Sequence, residues 1–299
     1  KFRYKPDFRL RDKDIKSAVF LAIPMLVSTW IQPLYTLVNA RFASHMEGAY
    51  SALEYANRLY LVMTGVFSFV VTNLIFPKLA KANAGDDKKE ANALVAMSLK
   101  AIVLVIAPLM AAVIILARPI TNIIYGHGAL ASDVGIVATA LSCYSVGMIF
   151  LAVNEVLSKT FFSMKQSVTP MVNSIISMVF NVILVLVING LIRNDISKLT
   201  GGLAVAAAVG SMVNALLSGA VLFKRNPDMV TKSEVITILK TILATLVMAF
   251  TMRLLYGFTG AGNTLVQSIV NAVICGGIGI VVYGVMLILL KVEEVIKLL

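Results

Sequence analysis

Residues Ala91 to Ala117, ANALVAMSLKAIVLVIAPLMAAVIILA, carry a single charge, Lys100, in a predominantly apolar run. The run is continuous rather than alternating, as a barrel strand would be, and exceeds the ~20 residues that take a helix across a bilayer. In hydrocarbon every backbone amide has to be satisfied within a helix or a closed barrel. The stretch therefore reads as a transmembrane helix. The whole chain shares its character: 299 residues, 59% hydrophobic and 14% charged, with a mean hydropathy of +0.90. An ordinary soluble domain is roughly 45–50% apolar and 25% charged, so a water-soluble globule is excluded.

Working outward, seven more windows are long and apolar enough to span: Ser17 to Ala40, Tyr50 to Pro77, Val134 to Asn154, Gln166 to Ile192, Leu199 to Phe223, Val235 to Met252 and Thr264 to Leu290. The fold class expected is an all-α membrane protein of eight transmembrane helices. Sorting Lys and Arg by alternate connections tests the count, because short cytoplasmic loops are the basic ones. One side takes 18 and the other five, with Arg58, Lys100 and Lys240 inside spans. Both ends of this multi-pass chain are thus expected in the cytoplasm. The net charge of +11 is then accounted for by basic loops beside anionic membrane lipids, without a nucleic-acid partner.

Pro24 and Pro33 in the first span and Pro108 in the third each remove a backbone hydrogen bond, and a hinge or cavity-lining bend is expected in the first. The small residues of GGLAVAAAVGSMVNALLSG and CGGIGIVVYG permit close helix contact. After Arg118 and Pro119, the segment ITNIIYGHGAL at Ile120 to Leu130 is too short to cross and is expected in the outer interface. A polar break at Lys224 to Glu234 divides the chain. The organisation expected is a basic cytoplasmic segment at 1–16, a six-helix lobe at 17–225 and an appended helix pair at 226–299. The opening KFRYKPDFRLRDKDIK, without an initiator Met or a signal-peptide pattern, suggests a fragment of a longer protein.

An ionisable group inside a span is expensive and faces a cavity or a partner. Arg58 leads, preceded by Glu54, Tyr55 and Asn57. A guanidinium suits phosphate recognition through its planar fork, and Glu54 one turn earlier suits a local ion pair; both readings stay open at this stage. Lys100 and Lys240 lie close enough to helix ends to snorkel. Glu155 has Lys159 one turn later, which suggests a local pair. Asn39, Asn73, Asn154, Asn173, Asn181, Asn214 and Asn271 are amides that could join helices or coordinate a cation. Cys143 and Cys275 sit in apolar runs and read as small buried hydrophobes. His45 and His127 are the sole histidines, no nucleotide loop or paired metal ligands occur, and no enzyme constellation is found.

Four blocks together, SALEYANRLYLVMTGVFSFVVTNLIFPKLAK at Ser51 to Lys81, RPITNIIYGHGAL at Arg118 to Leu130, VLSKTFFSMKQSVTP at Val156 to Pro170 and GLAVAAAVGSMVNALL at Gly202 to Leu217, resemble the MurJ (MviN) family. These are the flippases for the peptidoglycan precursor lipid II, within the multidrug, oligosaccharidyl-lipid and polysaccharide exporter superfamily. The resemblance covers roughly residues 17–225, and the last two helices match in hydropathy more than in residues. A family member has fourteen helices, and the eight here look like its second six-helix lobe and C-terminal pair, with the N-terminal lobe missing.

The resemblance implies that Arg58 lines a cationic central cavity, with Asn57 and Tyr55 beside it as substrate-binding residues. It implies alternating access, with lipid II or a similar polyprenyl-diphosphate glycolipid as partner. Some members bind sodium in this lobe, and the matching positions are Asn39, Asn181, Val185 and Ala207. A neutral Asn39, an apolar Val185 and no hydroxyl at Ala207 leave little charge or oxygen for a hard cation. No cofactor is expected, and sodium is disfavoured. Gln166 stands where the family usually has an acidic residue. The rival readings are a flippase for another lipid-linked oligosaccharide, a drug exporter, a non-transporting membrane scaffold and, last, an intramembrane enzyme.

Overall fold

The run that decides the fold is the centre of the longest helix in a computed structural model, which describes residues 13–85, 88–127, 133–192, 195–229, 231–259 and 264–292. Most of the basic opening segment, Arg193, Leu130, the tip of the turn after Thr259 and Lys297 lie outside the described residues. The helices are α1 (Lys13–Ala43), α2 (Ala49–Val70), α3 (Phe76–Ala84), α4 (Lys88–Tyr125), α5 (Val134–Ser145), α6 (Met148–Ser163), α7 (Val168–Leu191), α8 (Ile196–Arg225), α9 (Lys232–Thr259) and α10 (Leu265–Leu289). Among the described residues there is no strand. Seven helical stretches are long and apolar enough to cross a membrane by themselves, and α5 with α6 supplies an eighth span bent by 43°.

Three expectations need correction. The second span is not one continuous α-helix: between α2 and α3 the backbone widens into a π-turn at Val71–Ile75, where the N–H of Phe76 reaches back to the carbonyl of Val71. Pro77 follows at once, and its missing N–H would have bonded the carbonyl four residues back. The fourth span runs past Asn154 to Ser163 and bends at Val146 and Gly147. A Cβ at Gly147 would lie 3.1 Å from the Cα of Ala208, so glycine lets the bend press on α8. Third, residues 120–125 are not set apart from the third span as an element of their own. They continue α4 through Pro119, and Thr121 is buried with its hydroxyl on the carbonyl of Ala117 at 2.8 Å.

Proline is tolerated in these helices because neighbouring groups take up the freed carbonyls. Pro108 deprives the Leu104 carbonyl of its usual donor, and the Tyr283 hydroxyl of α10 donates to that oxygen at 2.7 Å. α1 passes through Pro24 and Pro33, and between them Ser28 and Thr29 turn their hydroxyls back to the carbonyls of Met25 and Leu26, each at 2.9 Å, which are not the carbonyls the two prolines free.

The main core is built from small and branched side chains where α8 presses on α5, α6 and α7: Ala56, Leu141, Met148, Leu203, Ala204 and Ala206 are at most 1% exposed. The small-residue run of α8 makes this approach feasible. α9 and α10 pack on each other and on α4, around Leu116, Met248, Met252 and Cys275 at one level and Ala244 and Leu287 at another. Outside the spans, Asp195 caps α8, accepting from the Lys198 N–H at 3.0 Å; that bond and the Lys198 ammonium hold its carboxyl below the usual carboxylate range.

Candidate functional site

Three turns into α2, Arg58 points away from the bundle with its side chain 65% exposed. Its Nε donates to Glu54 Oε1 at 3.1 Å, and the guanidinium stands 6.0 Å from the Tyr55 ring. Tyr55 in turn packs on Tyr125 of α4, ring centres 4.9 Å apart. The helical spacing that makes the Glu54–Arg58 pair is the spacing read from the sequence. Below Arg58 the same face carries exposed Leu61, Val62, Val66 and Phe69. An arginine so placed keeps most of its donors available despite its partner.

Asn57 does not join Arg58. It is 8% exposed and turns inward, where it lines a narrow slot with Thr36, Asn39, Glu54 and Tyr144. One residue along a helix is a rotation of about 100°, so two neighbours cannot share a face, and the expected Arg58–Asn57–Tyr55 group is split between the exterior and the core.

Asn39 and Asn181 both abut α8, at Leu203 and Gly210, about two turns apart. Tyr35 of α1 and Ser177 of α7 share a hydrogen bond at 2.9 Å. Asn39 and Asn181 follow these residues by one turn each. Asn39 Nδ2 donates to the Leu203 carbonyl at 3.5 Å, and Gly210 lies so near Asn181 that an added Cβ would be 3.3 Å from the asparagine Cβ. Asn181 is fully buried and neither polar atom of its amide has a partner. Around it Val185 and Ala207 are buried and apolar. The carboxylate in the Asn39 slot, Glu54, is bonded by Arg58, and Asn181 does not line that slot, so the expected positions do not assemble the six or more oxygens and the negative charge that hard cations favour. The donor set does not fit sodium.

The remaining intramembrane amides mostly join helices. Asn173 reaches Ser218 at 3.1 Å, Asn214 reaches Ser174 at 3.2 Å, and Asn154 reaches the Ser211 carbonyl at 2.8 Å. Gln166 accepts from Arg225, a neutral substitute for an ion pair between the starts of α7 and the end of α8. Lys240 meets the Lys291 carbonyl at 3.4 Å, near a helix end as expected for a snorkelling side chain. Lys100 differs: its ammonium is 3.9 Å from Glu234 of α9, an ion pair that bridges the bundle and the appended helices.

Sequence reasoning missed a polar chamber of about 230 Å³ between α1, α6, α7 and α8. Thr29, Asn154, Glu155, Ser158, Lys159 and Ser211 are among its walls. Lys159 Nζ lies 3.7 Å from Glu155 Oε1, the pair expected from their spacing, and Thr72 of the π-turn donates to the same oxygen at 3.2 Å. The signal was present in the hydroxyls of Ser28 and Thr29, but their convergence with Ser211, some 180 residues on, is a product of helix packing. Among the described residues no three His, Cys, Asp or Glu side chains group as metal ligands.

The family model described as lipid II flippase MurJ matches residues 1–275. A probable lipid II flippase MurJ of Rhizobium meliloti (strain 1021) is 30% identical over 213 residues, 71% of this chain and 39% of the relative. The lipid II flippase MurJ of Burkholderia cenocepacia is 28% identical over 212 residues, 70% of this chain and 40% of its own length. The chain thus spans about two fifths of the curated relatives it matches. A solved structure, lipid II flippase MurJ in an inward closed conformation, superposes with a TM-score of 0.70 at 25% identity, over 95% of this chain and 56% of that one.

Proposed function

The chain belongs to the lipid II flippase MurJ family, and from that premise we propose that it is the helical half of a transporter that carries lipid II from the inner to the outer leaflet of the cytoplasmic membrane. The observation that supports this most is Arg58: a guanidinium largely exposed on a membrane-spanning helix above an apolar face, where a charge is costly unless it meets an anion. In the proposed cycle Arg58 leaves Glu54 and takes the diphosphate of the glycolipid by charge-assisted hydrogen bonds. Glu54 restores the pair when the headgroup departs, so the charge is never left without a partner. Both ends of the chain lie on the cytoplasmic side in this reading, as the basic connections favour, and a further lobe supplies the opposite wall of the cavity.

The π-turn at Val71–Ile75 and the bend at Gly147 are the two places where a span can change direction without losing its backbone bonds, and Thr72 links one to the other through Glu155 on α6. The residues here bind, orient and release; none is assigned a covalent step.

The test is complementation of a bacterium depleted of its own lipid II flippase, with the complete reading frame and with Arg58→Ala. Rescue by wild type and loss of rescue by an inserted Arg58→Ala protein is expected. Normal growth on Arg58→Ala as the sole flippase would reduce the residue to a partner of Glu54, and failure of a well-expressed wild type would move the substrate to another lipid-linked oligosaccharide.

A further inference from the structure

We propose that the polar chamber between α1, α6, α7 and α8 is a subsite for one sugar ring of the glycolipid headgroup, an inference that rests on the flippase reading above. The chamber is built for a neutral, many-hydroxyl ligand. Its walls offer donors and acceptors together: the hydroxyls of Thr29, Ser158 and Ser211, the Lys159 ammonium and the Glu155 carboxylate. Asn154 lines the chamber while 91% buried and spends its Nδ2 on the Ser211 carbonyl, which fixes the amide between α6 and α8.

The alternatives fit less well. A metal ion would compete with an ammonium 3.7 Å from the one carboxylate on the wall, and a phosphate would face that carboxylate. Tyr35 and Phe162 add aromatic edges to the lining, which suit the apolar faces of a pyranose. At about 230 Å³ the space falls below the roughly 300–1,000 Å³ of drug-sized sites, so it takes one ring. Glu155 and Lys159, 29% and 21% exposed, mark the side open to solvent.

The experiment measures binding of two lipids to the purified full-length protein by native mass spectrometry: undecaprenyl diphosphate, and the same lipid bearing a single N-acetylglucosamine. Wild type is compared with Asn154→Leu and with the gentler pair Thr29→Val and Ser158→Ala, which keeps side-chain volume close to the original and covers the event that Asn154→Leu fails to fold. Wild type is expected to prefer the sugar-bearing lipid at least tenfold. The variants are expected to lose that preference while holding the sugar-free lipid as wild type does. Variants that keep the full preference, or that lose both lipids equally, would overturn the subsite. A wild type that binds neither lipid would overturn the flippase reading, and the subsite with it.

Discussion

Tyr283 shows how one hydroxyl can decide whether two parts of a membrane bundle stay together. Its bond to the Leu104 carbonyl lies opposite Pro108, which cannot donate to that oxygen. Tyr283→Phe preserves the ring and removes the donor, so it should cost about 1 kcal/mol, measurable as a lower melting temperature of the detergent-solubilised protein. An unchanged melting temperature would mean that the carbonyl finds another donor. At the same scale, the Glu54–Arg58 and Glu155–Lys159 pairs were legible in the sequence because a four-residue spacing on a helix fixes proximity. The Lys100–Glu234 pair was not, since its partners lie 134 positions apart.

At the scale of elements, hydropathy places the starts of the spans to within a few residues, stops well short of the ends of four of them, such as Ser163 and Tyr125, and says little about their interior breaks. The window at Tyr50 to Pro77 hides a π-turn, because the register shift depends on how the freed carbonyls before Pro77 are satisfied and leaves no hydropathy signature. Conversely, Pro119 reads as a stop and is not one, as α4 finds helical partners on every side. The bend between α5 and α6 depends on a residue without a Cβ. Gly147→Val would drive a branched side chain into the backbone at Ala208 and should destabilise by about 1–3 kcal/mol, as overpacking does. Thermal unfolding of the purified variant checks it, and a wild-type transition would show that α6 and α8 can separate freely.

For the whole molecule, the question is what drives the cycle. The amides of Asn39 and Asn181 abut α8 about two turns apart, and the carboxylate beside Asn39 is held by Arg58, so in the proposed cycle exchanging sodium for potassium or choline should leave both melting temperature and flipping unchanged. A clear sodium-dependent rise would reveal oxygen ligands supplied by a rearrangement of α1 and α7. The appended helices dock on α4 through apolar clusters, the Tyr283 bond and the Lys100–Glu234 pair. Since α4 also packs on α5 and α6, a strain placed on α9 has a direct route to the bent span.

The amino-acid sequence by itself determined the solvent, the helical class, the number of spans and Arg58 as the costly charge. Each of these is a local property: a run of apolar residues either exceeds the bilayer or does not, and a charge within it is visible wherever it points. Tertiary structure alone decided which of Asn57 and Arg58 faces the core, that Asn39 and Asn181 both abut α8, and that hydroxyls from four helices line a chamber. Those facts depend on rotation about helix axes and on contacts between residues far apart in the chain, and a bilayer-wide hydrophobic run carries almost no information about which of its faces looks inward.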